Sequence, residues 1–166
     1  NNGKYTKAIE YYKNIIEGMP LSPEVPNAIS GMESVYQTIN KPEEYFAYLE
    51  TLGMSDIKSA DEKELMLFNA AEQRYLSGNH NSAITSLQSF VKNYPSGSKT
   101  AQAYYYLAES LKAKGNKEAA SGAYFQVIKR GEGPFAEAAT LNYADISYEL
   151  EHYSRAVTAY ESLIYI

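Results

Sequence analysis

A pattern of aromatic, small and turn residues repeats every 36–38 residues along this sequence, and few folds are compatible with such a repeat. Its clearest copy runs from Tyr104 to Tyr124: an aromatic residue, a small residue one helical turn later, Gly115 at a turn, and then Ala120 with an aromatic residue four positions on. The anchor position of Ala120 is occupied, in chain order, by Ala8, Tyr45, Ala83, Ala120 and Ala156. Self-similarity with a period of about 20–50 residues indicates stacked supersecondary units rather than one central core.

A turn residue lies five positions before each anchor. These residues are Gly3, Asn40, Gly78, Gly115 and Glu151. Between the turns, apolar residues recur at the spacing of one helix face, and no segment alternates with the period of a strand. The sequence therefore predicts antiparallel helix pairs and no strands.

The helices are predicted at 4–17, from Ser22 or Val25 to 39, and at 42–52, 59–76, 81–93, 99–114, 117–130, 135–150 and 153–165. Pro42 is expected in a first turn, where proline is tolerated. Ser59 and Glu62 have the spacing of a capping box, which marks the start of a helix.

The copy formed by Tyr104, Leu107, Ala108, Gly115, Ala120 and Tyr124 resembles the tetratricopeptide repeat family. The likeness extends over almost the whole chain. It implies an all-α fold of about nine helices without strands, wound as a right-handed superhelical solenoid of antiparallel helix pairs. A single solenoid over 1–166 is expected, with an unpaired second helix in 1–20 and pairs in 21–56, 57–96, 97–132 and 133–166. Since Gly3 is read as a turn, the chain is expected to be a piece of a longer protein.

The second copy matches this family least well. Glu33 stands where the family has Gly or Ala, and Tyr45 stands where it has Ala. The small anchors are expected at helix crossings, where a larger residue in place of Ala108 or Ala120 would overpack the contact.

Two stretches, 90–98 and 103–108, are similar to repeats of bacterial envelope proteins. The resemblance is to the repeat-containing coordinator of the Tol-Pal system and to the repeat lipoprotein of outer-membrane barrel assembly. It implies a periplasmic or envelope-associated location.

Composition argues against several classes of function. The net charge of −5 disfavours nucleic acid, which binds basic surfaces. Cysteine is absent, and no apolar run reaches the 18 residues or so of a membrane helix. His80 and His152 are expected to be exposed turn residues, and no nucleophile elbow or phosphate-binding loop occurs. The chain is therefore expected to be no enzyme and to hold neither metal nor cofactor.

The resemblance implies a concave groove lined by positions five, nine and twelve of the first helix in each pair. In the three later pairs these are Phe68, Glu72 and Tyr75; Tyr105, Glu109 and Lys112; and Leu141, Asp145 and Tyr148. The ninth position is acidic three times, so the expected partner is a neutral-to-basic peptide or a partner helix. The family's clamp for a peptide C-terminal carboxylate does not fit these residues. Charge reversal at the three acidic positions is expected to weaken binding and to spare the fold.

Two other functions remain open from the sequence. The chain could be a structural spacer in a longer repeat array, or a recruiting segment of a larger enzyme. Apolar faces at both ends are expected to allow end-to-end self-association.

Overall fold

The computed structural model describes residues 2–131 and 133–164 as helices joined by short turns, without a strand among them. The helices are α1 (Asn2–Gly18), α2 (Val25–Thr38), α3 (Pro42–Thr51), α4 (Ala60–Leu76), α5 (His80–Asn93), α6 (Thr100–Ala113), α7 (Lys117–Ile128), α8 (Ala136–Glu149) and α9 (Tyr153–Ile164). The predicted boundaries are confirmed to within a few residues. The short 3₁₀ helix Ser55–Ile57 was not predicted.

Four of the five predicted turn positions have the left-handed backbone that ends a helix. The φ angles are 60° at Asn40, 74° at Gly78, 76° at Gly115 and 61° at Glu151. Each of these turn residues lies five positions before its anchor. The predicted register of the turns is therefore confirmed, and this includes Asn40 in the second copy, which matches the family least well. Gly3 was wrongly predicted as a turn, since it lies within α1.

Helix starts are capped by side chains at several of these junctions. Asn79 and Asn116 each follow a turn glycine, and each accepts a hydrogen bond from a backbone N–H in the first turn of its helix. Ser59 and Glu62 form the predicted capping box: the Ser59 N–H donates to Glu62 Oε2 at 2.8 Å, and the Glu62 N–H donates to Ser59 Oγ at 3.3 Å. These bonds satisfy amides that have no partner within the helix.

The described residues fall into two compact units, the first ending at Ala70 and the second beginning at Ala71, within α4. In the first unit, α1 packs on α2 and α2 packs on α3. Its buried core contains Ile16, Val25, Ala28, Met32, Tyr36, Tyr45, Tyr48 and Leu49. Gly31 allows close packing here, because a Cβ at that position would come within 2.7 Å of Tyr12 Cε1.

The two departures of the second copy from the family pattern form one polar contact. Tyr45 has no exposed surface, and its hydroxyl reaches Glu33 Oε2 at 3.4 Å. Lys58 Nζ lies 2.9 Å from Glu33 Oε1, and both side chains are largely buried. A large residue at the anchor is thus compensated by a carboxylate on the facing helix, which in turn has a cationic partner.

In the second unit, consecutive helices from α5 to α9 pack against one another. The small anchors Ala83, Ala120 and Ala156 are buried, as predicted for helix crossings. Leu87 and Tyr124, four residues after their anchors, have no exposed surface. Burial of such side chains is the main stabilising contribution in a repeat fold.

Candidate peptide-binding face

Tyrosines from the first helices of two pairs stack on one side of the second unit. The rings of Tyr75 in α4 and Tyr106 in α6 are stacked with their centroids 4.4 Å apart. Tyr105 contacts Tyr106 edge-on at 6.3 Å, and Phe135, just before α8, lies 5.0 Å from the Tyr105 ring. All four rings are only half-buried, so part of each stays accessible.

Two carboxylates adjoin these rings. Glu72 Oε1 accepts hydrogen bonds from the Tyr106 hydroxyl at 3.0 Å and from Gln102 Nε2 at 3.2 Å. Glu109 accepts a hydrogen bond from the hydroxyl of the fully buried Tyr124. Both carboxylates are half-buried, and neither forms an ion pair with any residue in the described part of the chain. We call Glu72, Tyr75, Tyr105, Tyr106 and Glu109 together the tyrosine face.

The acidic residue at position nine has an equivalent tyrosine partner in two of the three pairs. Glu109 and Asp145 each accept a hydrogen bond from a tyrosine fifteen residues later, Tyr124 and Tyr160, at the anchor-plus-four position of the same pair. The residue fifteen positions after Glu72 is Leu87, which cannot donate. Glu72 therefore accepts its hydrogen bond from a tyrosine of α6, the first helix of the next pair. This change of partner brings the Tyr106 hydroxyl next to the Glu72 carboxylate.

The electrostatics of the tyrosine face favour neutral phenols and an incoming cation. Burial, followed by the negative charge of Glu109, raises the pKa of Tyr75 and of Tyr105. Burial likewise raises the pKa of Tyr106. Burial first, and then the hydrogen bond to Glu109, raise the pKa of Tyr124. An ammonium or guanidinium group beside these rings would gain from both the carboxylates and the ring faces.

The predicted groove residues divide into three groups. Phe68 was wrongly predicted to be on the surface: it is 1% exposed and belongs to the core. Four of them, Glu72, Tyr75, Tyr105 and Glu109, belong to the tyrosine face. The remaining positions, Lys112, Leu141, Asp145 and Tyr148, are exposed.

The exposed group extends from α6 to α8. Lys112 Nζ donates to Asn142 Oδ1 at 2.5 Å, which joins the two helices. The Tyr160 hydroxyl donates to Asp145 at 2.6 Å. Leu141 and Tyr148 leave 47% and 61% of their surface exposed, so both can contact a ligand.

Three residues of this site were not predicted from the sequence. Tyr106, Gln102 and Phe135 lie outside positions five, nine and twelve, yet Tyr106 and Gln102 bond to Glu72, and Phe135 contacts Tyr105. The run of three tyrosines from Tyr104 was the available signal. It did not show which ring would face α4.

The histidines were wrongly predicted to be exposed, since both are half-buried. His80 packs edge-on against Tyr75 with ring centroids 6.5 Å apart. Within 2–131 and 133–164, no group of three metal-ligating side chains converges. Over the same residues, no helix combines the length and apolarity needed to cross a membrane.

Comparison with known proteins agrees with the repeat geometry. The model of a tetratricopeptide repeat family matches residues 68–137 and 110–166, which together make up more than half of the chain. The protein therefore belongs to the tetratricopeptide repeat family. Members of this family generally mediate protein–protein interactions and are typically non-catalytic scaffolds. No curated protein matches the chain.

Solved structures with similar folds include two crystal structures of MamA, each 20% identical over 98% of this chain. They have TM-scores of 0.49 and 0.48, with 88% and 82% of the MamA chains covered. A tetratricopeptide repeat protein from Parabacteroides merdae is 16% identical, with a TM-score of 0.47. The match covers 98% of this chain and 60% of that protein.

Proposed function

We propose that this protein is a scaffold that binds a basic peptide segment, extended or helical, on the tyrosine face. The observation that carries the proposal is the pair of half-buried carboxylates, Glu72 and Glu109, that have aromatic neighbours but no cationic partner among the described residues. Half-buried charges without a counter-ion are costly, and a ligand cation would offset that cost.

The aromatic rings favour the same class of ligand. Tyrosine offers rigid contact area with little rotamer entropy to lose, which is typical of residues that dominate binding energy. Lys and Arg side chains also gain from contact with ring faces when they are partly removed from water. The exposed Leu141 and Tyr148 on α8 would contact apolar residues of the same segment.

The test must remove charge without removing hydrogen-bond acceptors. Reversal of Glu109 to lysine would leave the buried Tyr124 hydroxyl without its acceptor, so the expectation that charge reversal spares the fold does not hold at this position. The double variant Glu72→Gln/Glu109→Gln keeps an oxygen at both sites and removes two charges. Its matched control is Glu118→Gln/Glu161→Gln, which removes two exposed charges from α7 and α9, the second helices of their pairs, and none from the first helices that form the tyrosine face.

The proteins are tested against an array of peptides that differ in Lys and Arg content, with fluorescence anisotropy of the best binders. Basic peptides are expected to bind, and the Glu72/Glu109 variant is expected to bind them about tenfold more weakly or worse. The control variant is expected to keep wild-type affinity. Equal losses of affinity in both variants would mean that only the net charge of the protein matters. If no peptide binds, the proposal fails and the structural spacer becomes the favoured function.

An envelope location is part of this proposal and is supported by the resemblance of residues 90–98 and 103–108 to envelope repeats. Fractionation of the source cell tests it separately from binding. Recovery of the protein with the cytosol would contradict it.

A further inference from the structure

A second cleft lies on the other side of α8 from the predicted groove. It has a volume of about 460 Å³ and lies between α7 and α9, with Thr140 and Tyr143 of α8 at its base. At about 100° of rotation per residue, Tyr143 lies roughly 200° around α8 from Leu141. The cleft also shares no lining residue with the tyrosine face.

The walls of this cleft are mainly apolar. Phe125 and Ile128 of α7 line one side and Ala159 of α9 lines the other. The rings of Phe125 and Tyr143 lie 5.6 Å apart at an interplanar angle of 30°, and Phe125 leaves 43% of its surface exposed. The volume lies within the range of about 300–1,000 Å³ that small-molecule sites occupy, and such sites are mostly apolar with a few polar groups that fix orientation.

Most hydroxyls of the lining are already engaged. The hydroxyls of Thr140, Thr158 and Ser162 each donate to a carbonyl oxygen of their own helix. Their hydrogens are thus unavailable to a ligand.

The polar groups left for a ligand are all able to donate. They are the hydroxyls of Tyr143 and Ser154 and the guanidinium of Arg155, none of which has a side-chain partner among residues 2–131 and 133–164. Arg155 is exposed, so its guanidinium can turn toward a ligand from solvent. A planar guanidinium matches a carboxylate with two parallel hydrogen bonds.

We infer that this cleft, which we call the α7–α9 cleft, binds an amphiphilic monocarboxylate. The aliphatic or aromatic part of the ligand packs against Phe125, Ile128 and Ala159, and its carboxylate pairs with Arg155. The inference does not depend on peptide binding at the tyrosine face.

The probe is decanoate, and its control is decanol, which has the same chain without the charge. Amide chemical shifts and titration calorimetry are recorded for the intact chain. Decanoate is expected to shift the amides of α7 and α9 that line the cleft and to bind at least about tenfold more tightly than decanol.

Three variants identify the groups involved. Arg155→Met removes the charge and keeps the length of the side chain, so it is expected to reduce decanoate affinity to that of decanol. Thr158→Trp adds an indole ring that narrows the cleft and is expected to weaken the binding of both probes. Val157→Trp places the same ring at a neighbouring exposed site outside the lining and is expected to bind as wild type does.

Wild-type affinity in Arg155→Met, equal binding of decanoate and decanol, or no decanoate shift at millimolar concentration would overturn the inference. Thermal melts of each variant verify that the fold is intact. The Glu72→Gln/Glu109→Gln variant is expected to bind decanoate as wild type does, which separates this cleft from the peptide proposal.

Discussion

The hydrogen bond between Tyr124 and Glu109 gives the sharpest stability prediction. Tyr124→Phe removes one hydroxyl from a side chain with no exposed surface and keeps the ring in place. A hydrogen bond to a charged group contributes about 1.5–3 kcal/mol when its loss leaves the partner buried. Because Glu109 is half-buried, water can replace part of that bond, and the expected loss is about 1–2 kcal/mol.

The matched control uses the same pair in the next repeat. Tyr160 is 38% exposed and donates to the exposed Asp145 at 2.6 Å. Water can satisfy both groups after Tyr160→Phe, so the expected change is below about 0.5 kcal/mol. The two variants therefore remove the same chemical group from equivalent positions that differ mainly in burial.

The assay is urea denaturation followed by far-UV circular dichroism, with thermal melting in parallel. For a chain of this length, 1 kcal/mol corresponds to about 2–4 °C in Tm, so Tyr124→Phe should melt about 2–8 °C lower than wild type. The free energy of unfolding of Tyr124→Phe could instead change by less than about 0.5 kcal/mol, or Tyr160→Phe could lose as much stability. Either result would refute the argument that burial increases the contribution of this hydrogen bond to stability.

Three further outcomes are expected. Gly31→Ala should destabilise the fold by about 1–3 kcal/mol because its Cβ would collide with the Tyr12 ring. Gly122→Ala, at a helical site with open space, should instead stabilise the fold by about 0.4–1 kcal/mol. Equal effects of the two substitutions in urea denaturation would contradict this. Glu151→Gly should raise stability by about 1 kcal/mol, since φ is 61° there, and an unchanged urea midpoint would speak against it. Above about pH 10 unfolded tyrosines lose their protons, whereas burial raises the pKa of Tyr124 in the fold. The stability it contributes is therefore present below pH 10 and falls as the pH rises further, so urea midpoints should fall less steeply in Tyr124→Phe.

Most of the fold could be predicted because the signals are local. Turn residues such as Gly78 and Gly115 adopt φ values that few other residues tolerate, and buried anchors such as Ala83 and Ala120 repeat at a fixed distance from them. Each helix pair contacts only its neighbours, so a short stretch of sequence contains most of the information about its own structure. Gly3 shows the limit of this logic, because glycine at a turn position does not end a helix by itself.

The candidate site was less predictable because it depends on which side chains meet between helices. Position counting placed Phe68 on the surface, but packing buries it. It also treated Glu72, Glu109 and Asp145 as equivalent free charges. All three accept hydrogen bonds from tyrosine hydroxyls.

The periodic sequence alone specified helices, turns and small crossing residues, since these follow from backbone conformation and local spacing. The tertiary structure decided the partner of each carboxylate. Leu87 cannot donate where Tyr124 does in the next repeat, so Glu72 bonds to Tyr106 from the following first helix instead. The partner of Glu72 depends on its distance from a residue 34 positions away, which helical periodicity does not encode.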